Sequence, residues 1–546
     1  MVLNCDLRQS IFSRRRKRQL RSGGTLMPED VRSARAIDRR DLLKAAAGAA
    51  GALALPQTVA AQSAPRRGGT LRLTMPYNPG SVDPMTGRNG PDMIVVYAVF
   101  DALIDFEPWT LELKPGLAKA WRFTDPKTLV LDLVTGVKFH DGTDFNAEAV
   151  KFNLERYKTD PRSNYKADLG AVDQVEVTGP HQVTLHLGKP NAGLPLVLTH
   201  RVGCMVSPKS VAQGSNIDRN PVGTGPFRFV DWQDNASFKL VRNDNYWKPG
   251  LPYLDGIEMR IVNELNTALR TVVSGEADAV TNMQPTQKLI AGRSPNLIVK
   301  VGPSLTFYGA FLNYGRPPLD DLRVRRALNY AIDRDEINKV IALGLGQPSS
   351  AILAKEHWAY DPSTANYYTH DIGKAKALLA EAGYPDGLDI EAYGWADQTA
   401  MKRQELIMAQ LAKAGVRIKL TPTAPQTAMT NFMLEKKGSM LFSPTGGYPD
   451  PSQYYDAQFA KDALRNSSKI ELPGYRELLD ATLNAQDQPA RKAAFAKLQR
   501  FVVEQAMQLP QFIAPTILIY NPRVQNLSDN LPGTPKFTEV WLQGSA

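Results

Sequence analysis

Histidine, cysteine, serine and carboxylate groups are the side chains whose spacing betrays chemistry, and in this 546-residue chain they are scattered. The six histidines form no His-x-x-x-His or His-x-His pair with a carboxylate between, so the ligand set of a zinc hydrolase is missing. The two cysteines, Cys5 and Cys204, make no Cys-x-x-Cys. No Gly-x-Ser-x-Gly elbow, Gly-x-x-x-x-Gly-Lys phosphate loop or Gly-x-Gly-x-x-Gly turn is present. One nucleophile pattern remains: Ser163-Asn164-Tyr165-Lys166, in which a lysine three positions along could activate the serine, with Ser528-Asp529-Asn530 as a second element. Its setting argues against it. The serine lies in a polar stretch after a helix, not at the head of an apolar one, and the accompanying Lys-Thr-Gly is missing. Gly223-Thr224-Gly225-Pro226 offers backbone N–H groups to an anion, but Pro226 removes one donor and Phe227, Phe229 and Val230 continue as a strand, so a structural turn is expected.

The surrounding elements read as a mixture of strands and helices. Val183, Leu185 and Leu187 alternate with Gln182, Thr184 and His186, and Gly179-Pro180 separates them from Val175 and Val177, which is a hairpin pattern. Asn146 is placed to cap a helix carrying Val150, Leu154 and Tyr157 on one face, with Phe145 and Val150 as its staple. Residues 108–189 thus read as a small α+β module. From residue 303 onward, helix and strand alternate. Asp320 or Asp321 caps a helix with Val324, Ala327, Leu328, Ala331 and Ile332 on its apolar stripe. Two helix, glycine, strand units follow, stopped at Gly383 and Gly415, and predict an α/β domain with its own sheet. Near the end a helix through Ala494, Leu498, Phe501 and Val502 leads to a single strand from Ile513 to Tyr520.

Charge separates one end from the rest. Residues 1–61 hold 12 of the 65 basic and 5 of the 55 acidic residues, which leaves the remainder near neutral at +3 out of a total of +10. The basic run Arg14 to Arg18 lacks the interleaved aromatics of a nucleic-acid surface, so no nucleic-acid partner is expected. Asp38-Arg39-Arg40-Asp41-Leu42-Leu43-Lys44 precedes an 11-residue Ala/Gly/Leu run, too short to span a membrane, and then Val59-Ala60-Ala61. This is the pattern of a twin-arginine export signal cleaved near Gln62. Removing it takes Cys5 away and leaves Cys204 alone, so the exported chain has no intrachain disulfide.

Several runs, in order, resemble the extracellular solute-binding proteins of family 5, the periplasmic receptors of peptide, nickel and related ABC importers. They are Gly68-Gly69-Thr70-Leu71-Arg72, Leu113 to Ala118, Val137 to Phe145 with Ala147 to Arg156, Pro221 to Phe227, Tyr246-Trp247, and Asp320 to Asp333. The resemblance implies an α/β, two-lobed fold of venus-flytrap type with an extra inserted α+β subdomain. On that pattern residues 1–61 are the signal, residues 66–107, 190–302 and 515–546 form one discontinuous lobe, residues 108–189 are its insertion, and residues 303–514 form the second lobe. It also implies a monomer, free in the periplasm, that binds a peptide or other small polar solute and delivers it to membrane permease subunits, with no catalytic residue, no cofactor and no metal. A secreted serine hydrolase of penicillin-binding type, acting through Ser163 and Lys166, is the competing expectation.

Peptide-binding members of that family hold the ligand's amine with an Asp before a Tyr. Here Gly447 precedes Tyr448 and Pro444 stands where a Trp is common, so a free amine at that spot would need Asp450 from a shifted position. The expected ligand-binding residues are the aromatic and amide groups that the resemblance turns toward the cleft: Tyr77, Tyr308, Asn313, Trp358, Trp395 and Tyr448.

Overall fold

Leu71, Leu73 and Met75 recur with a period of two along Thr70–Met75 and lie in the core of the first sheet, while of the residues between them Thr70 is exposed, Arg72 is half-buried and Thr74 is buried. The computed structural model describes residues 64–544 apart from 89 and 464. The expected export signal lies outside the described residues.

Thr70–Met75 is central in a seven-stranded sheet, ordered Ile298–Gly302, Thr516–Tyr520, Ala279–Val280, Thr70–Met75, Gly256–Ile261, Ser237–Arg242 and Phe227–Gln233. It runs parallel to Gly256–Ile261 and Ala279–Val280, and the other pairings are antiparallel. The run Gly223 to Pro226 enters this sheet as a packing turn. A Cβ on Gly225 would stand 2.5 Å from the Val99 carbonyl carbon, and the Gly225 N–H donates to the Val99 carbonyl at 2.9 Å, so small residues let two backbones approach.

A separate four-stranded antiparallel sheet is built from Ala118–Asp125, Thr128–Leu133, Gln182–Leu187 and Val172–Gly179. The helix Ala147–Thr159 covers it. Its cap is Asn146, whose side chain accepts the Ala149 N–H at 3.0 Å. Val150, Leu154 and Tyr157 meet Leu129, Leu131, Val183 and Leu185 in a core distinct from that of the larger sheet.

The third sheet has six strands, ordered Gln347–Pro348, Gln508–Ile513, Phe307–Leu312, Met440–Thr445, Leu388–Trp395 and Val416–Thr423. Gly383 and Gly415 both adopt φ +94° at the ends of their helices, a left-handed conformation open to glycine, and so permit the reversal into each strand. Leu388–Trp395 and Val416–Thr423 pair in parallel over their full length. One face of the sheet packs on the helices Leu322–Ala331, Ile372–Glu381 and Gln398–Lys413, the first capped by Asp321. The other face packs on Pro451–Phe459, Tyr475–Asn484 and Gln488–Glu504.

The single strand expected from Ile513 to Tyr520 is in fact two. Gln508–Ile513 belongs to the six-stranded sheet and Thr516–Tyr520 to the seven-stranded one. Pro515 has no N–H to donate to a ladder, and the chain passes between sheets at that point. A second passage runs from Ile298–Gly302 to Phe307–Leu312. The two are stitched together: the Ala514 N–H donates to the Thr306 carbonyl at 2.8 Å, and the Ser304 hydroxyl donates to the Ala514 carbonyl at 2.6 Å.

Candidate ligand-binding site

The passage through residues 303–306 fixes the geometry of the site. Leu305 is buried with the core of the seven-stranded sheet, and its N–H donates to the Leu531 carbonyl at 2.9 Å. Two residues later Phe307 pairs with Thr445 and Tyr308 with Pro444 in the six-stranded sheet. Trp395 ends its own strand at the same end of the sheet, because Ala392 and Tyr393 lie beside Met440 and Leu441 in parallel. In open α/β sheets this carboxyl end is where ligands bind.

Gly447 lies against the passage. A Cβ there would stand 2.2 Å from the Leu305 Cβ and 2.4 Å from its carbonyl oxygen, so no side chain fits, least of all a carboxylate. Asp450 does not substitute. It is fully buried, caps the helix Pro451–Phe459 by accepting the Ser452 N–H at 3.0 Å, and is ion-paired with Arg491 at 2.8 Å. Arg491 also donates to the Thr482 carbonyl at 3.0 Å, and Gly193 approaches so closely that a Cβ there would stand 2.8 Å from the Asp450 carboxyl carbon. The acid is thus committed to the fold.

Of the six expected residues, Trp358, Trp395 and Tyr448 pack on one core at this end, Tyr308 begins its strand here but packs on the opposite face of the sheet, and Tyr77 lies with the core of the seven-stranded sheet. Trp358 packs against both the core of the seven-stranded sheet and that of the six-stranded one, edge-on to Phe495 at 5.5 Å between ring centroids. His357 holds it in place: its Nδ1 accepts the Ala359 N–H at 3.1 Å and its Nε2 lies 3.3 Å from the Pro449 carbonyl, while burial lowers its pKa to about 4 and keeps the ring neutral. Tyr308 stacks on Phe512 at 5.0 Å. Trp395 and Tyr448 pack on the same core as Trp358, and the Trp395 Nε1 is a buried donor with no acceptor among the described residues. Tyr77 packs on the seven-stranded side, with Asp92 and Arg201 in electrostatic range and its phenol pKa pushed up by burial. Asn313 stands apart. It follows the far end of Phe307–Leu312, is buried, and its Oδ1 accepts the Gly315 N–H at 3.3 Å to close a turn.

Four residues that the sequence did not mark as ligand-binding complete the surroundings. Tyr165, on the four-stranded module, donates to the Gly87 carbonyl at 2.7 Å and lies 5.7 Å from the Arg201 guanidinium. Asp168 follows in a one-turn helix, hydrogen-bonded to Gln453, and burial pushes its carboxyl up to about 6 despite the nearby Arg465. Arg465 in turn lies over the Tyr448 ring at 5.9 Å. These residues sit in polar loops without periodicity, so no pattern marked them. The fourth is Arg403. It falls at the i−4 position of Ile407, a cation on the apolar stripe of its helix, which was a legible signal.

The nucleophile pattern has no supporting geometry. The Ser163 hydroxyl accepts the Tyr165 N–H at 3.3 Å within a turn, and Lys166 is exposed at the head of the one-turn helix. In the second element the Asp529 carboxylate accepts its neighbour Asn530's N–H at 3.0 Å, and Asn530 itself bonds to Thr534.

Known proteins agree with this architecture. The model of the bacterial extracellular solute-binding proteins, family 5, matches residues 112–466. The glutathione-binding protein GsiB of Pectobacterium atrosepticum is 33% identical over 353 residues, which cover 62% of this chain and 66% of the relative. The matched stretch is thus just under two thirds of that relative's length. Among solved structures, the periplasmic binding protein DppA of Helicobacter pylori, in complex with peptide STSA, superimposes with a TM-score of 0.78 at 24% identity, covering 88% of this chain and 99% of that one. AgaA of A. tumefaciens R10, in complex with agropinic acid, gives 0.77 at 23% identity, covering 88% and 99%. The fold is therefore that of the α/β periplasmic binding proteins, and the chain belongs to the bacterial extracellular solute-binding proteins of family 5.

Proposed function

We propose that the protein is the periplasmic receptor of an ABC importer, which captures a peptide-like or other small polar solute by closing two lobes and hands it to a membrane permease. The observation that carries this reading is the pair of stitched passages at residues 303–306 and 514–515, flanked by Trp358, which packs on the cores of both larger sheets. Two short connections allow rotation of one body on the other, and a ligand that touches both favours the closed arrangement. In this reading the first lobe comprises residues 66–107, 190–302 and 515–546 with the module 108–189 inserted, and the second comprises residues 303–514. The chain acts as a monomer and reaches the periplasm by the twin-arginine route. Among the described residues no helix is long and apolar enough to cross a membrane, which is compatible with a receptor free of the bilayer.

Tyr77, Tyr308, Trp358, Trp395 and Tyr448 supply apolar walls, and the solute's polar groups meet the few charged side chains beside them. A relative bears the name of a glutathione-binding protein, and structural neighbours are described with a peptide and with agropinic acid, so the candidate solutes are peptides and amino-acid conjugates. Gly447 excludes an acid at the loop position that peptide-binding members use, which favours a ligand gripped elsewhere. Isothermal titration with glutathione, Met-Leu and agropinic acid tests the reading. Binding of one of them at one site per chain supports it, and failure of all three to bind removes this class of solute.

A further inference from the structure

Arg403 is among the largest fully buried side chains in the molecule, at 2% exposure. Its guanidinium lies 4.3 Å from the centroid of the Tyr308 ring, three residues beyond the passage at Leu305. No carboxylate stands within ion-pair distance of it among the described residues, and its Nε and Nη2 are buried without a hydrogen-bond acceptor. The nearest acid in electrostatic range, Asp397, is already engaged in capping the same helix through the Ala400 N–H at 2.9 Å.

A buried cation without an acceptor is costly, and native proteins rarely keep one. The face of Tyr308 offsets part of that cost through its quadrupole but satisfies no N–H. An arginine presents a planar fork suited to two oxygens of one anion, which a lysine does not. We infer that Arg403 receives a carboxylate of the transported solute, at the carboxyl end of the six-stranded sheet beside Tyr308. This rests on the receptor reading and narrows it to carboxylate-bearing solutes.

The test uses the exported chain, residues 62–546, as wild type, Arg403→Met and Arg403→Lys. Binding is titrated with glutathione, with its diethyl ester, with Met-Leu and its amide, and with inorganic phosphate, and the melting temperature of each protein is recorded without additive. The inference expects one of the free acids to bind the wild type, with at least a 30-fold loss when its carboxylate is masked. It also expects a loss of similar size for Arg403→Met, and a smaller one for Arg403→Lys. Without additive, Arg403→Met melts no lower than wild type, because the methionine removes an unfilled charge.

Equal affinity of Arg403→Met and wild type for the acid that binds would overturn the inference, with water filling Nε and Nη2, and would leave the receptor reading intact. Equal binding of acid and ester would do the same. Arg403-dependent binding of phosphate alone would replace the carboxylate by a phosphoryl group and overturn it. A wild type that binds none of the probes would remove both the inference and the solute class on which it rests. Should Arg403→Met fail to fold, Arg403→Lys carries the comparison, since it keeps the charge and loses the fork.

Discussion

Arg491 and Arg403 are both buried guanidinium groups in the part of the molecule built on the six-stranded sheet, and they differ in what they hold. Arg491 has a carboxylate at 2.8 Å, a carbonyl at 3.0 Å, and the Trp358 ring at 5.2 Å. Arg403 has an aromatic face and nothing for two of its nitrogens. The first is a finished ion pair that ties the loop before Pro451–Phe459 to the helix Gln488–Glu504. The second is an unfinished one. The contrast teaches that burial alone does not separate a structural charge from a binding charge. The count of satisfied donors does.

The largest effect should come from breaking the finished pair. Arg491→Met leaves Asp450 buried without a counter-charge and should destabilise the protein by about 3–5 kcal/mol in denaturant unfolding, where Arg403→Met costs little or nothing. Similar losses for the two variants would erase the distinction. Removal of two aromatic walls comes next. Tyr448→Ala with Trp395→Ala should weaken binding of the solute found by titration by a factor of 30 or more, at about 2 kcal/mol or above, while the chain still unfolds cooperatively. Unchanged affinity in calorimetry would move the site away from this end of the sheet.

Gly447→Ala probes the passage itself. The added methyl meets Leu305, and overpacking against backbone should cost about 1–3 kcal/mol by thermal unfolding. No loss would mean that the loop yields, and that a side chain could stand there after all.

The smallest effect concerns Asp168, a charge intermediate between the two arginines, held by a neutral amide with Arg465 only nearby. Its carboxyl titrates at about 6 in the folded chain, above the unfolded value of 3.8. The unfolded state therefore loses its proton first, and the group's contribution is full below pH 4 and disappears as the pH rises through 6. Asp529 is raised to about 6 by the same cause and contributes in the same window. Asp168→Asn should thus gain stability on wild type between pH 4 and 6.5, by about 1–3 kcal/mol, and leave the Asp529 contribution in place. A difference that does not change with pH would show that Asp168 meets water freely.

Much of this was legible in the chain. Apolar alternation marked the hairpin of the four-stranded module, Asn146 and Asp321 capped the helices they were expected to cap, and Gly383 and Gly415 ended theirs. The split at Ala514 was not, because an apolar run reads the same whether one sheet or two receives it. Trp358, Trp395 and Tyr448 meet on one core, whereas Tyr308 packs on the other face of the sheet and Asn313 follows the far end of the same strand, because facing and register are set by strand pairing that local spacing does not show. Asp450 was open as an anchor until its partner appeared, and Arg491 lies 41 residues away along the chain. Pairing between distant segments leaves no mark in local pattern. Arg403 differed: a cation on an apolar stripe was visible from spacing, and only the missing partner required the structure.

The most direct measurement is native mass spectrometry of residues 62–546 after equilibration with a bacterial periplasmic extract and rapid desalting, followed by denaturation. A receptor that closes on its solute should retain one small molecule per chain, and the species released should carry a carboxylate. A chain that emerges at its bare mass from every extract would contradict the account.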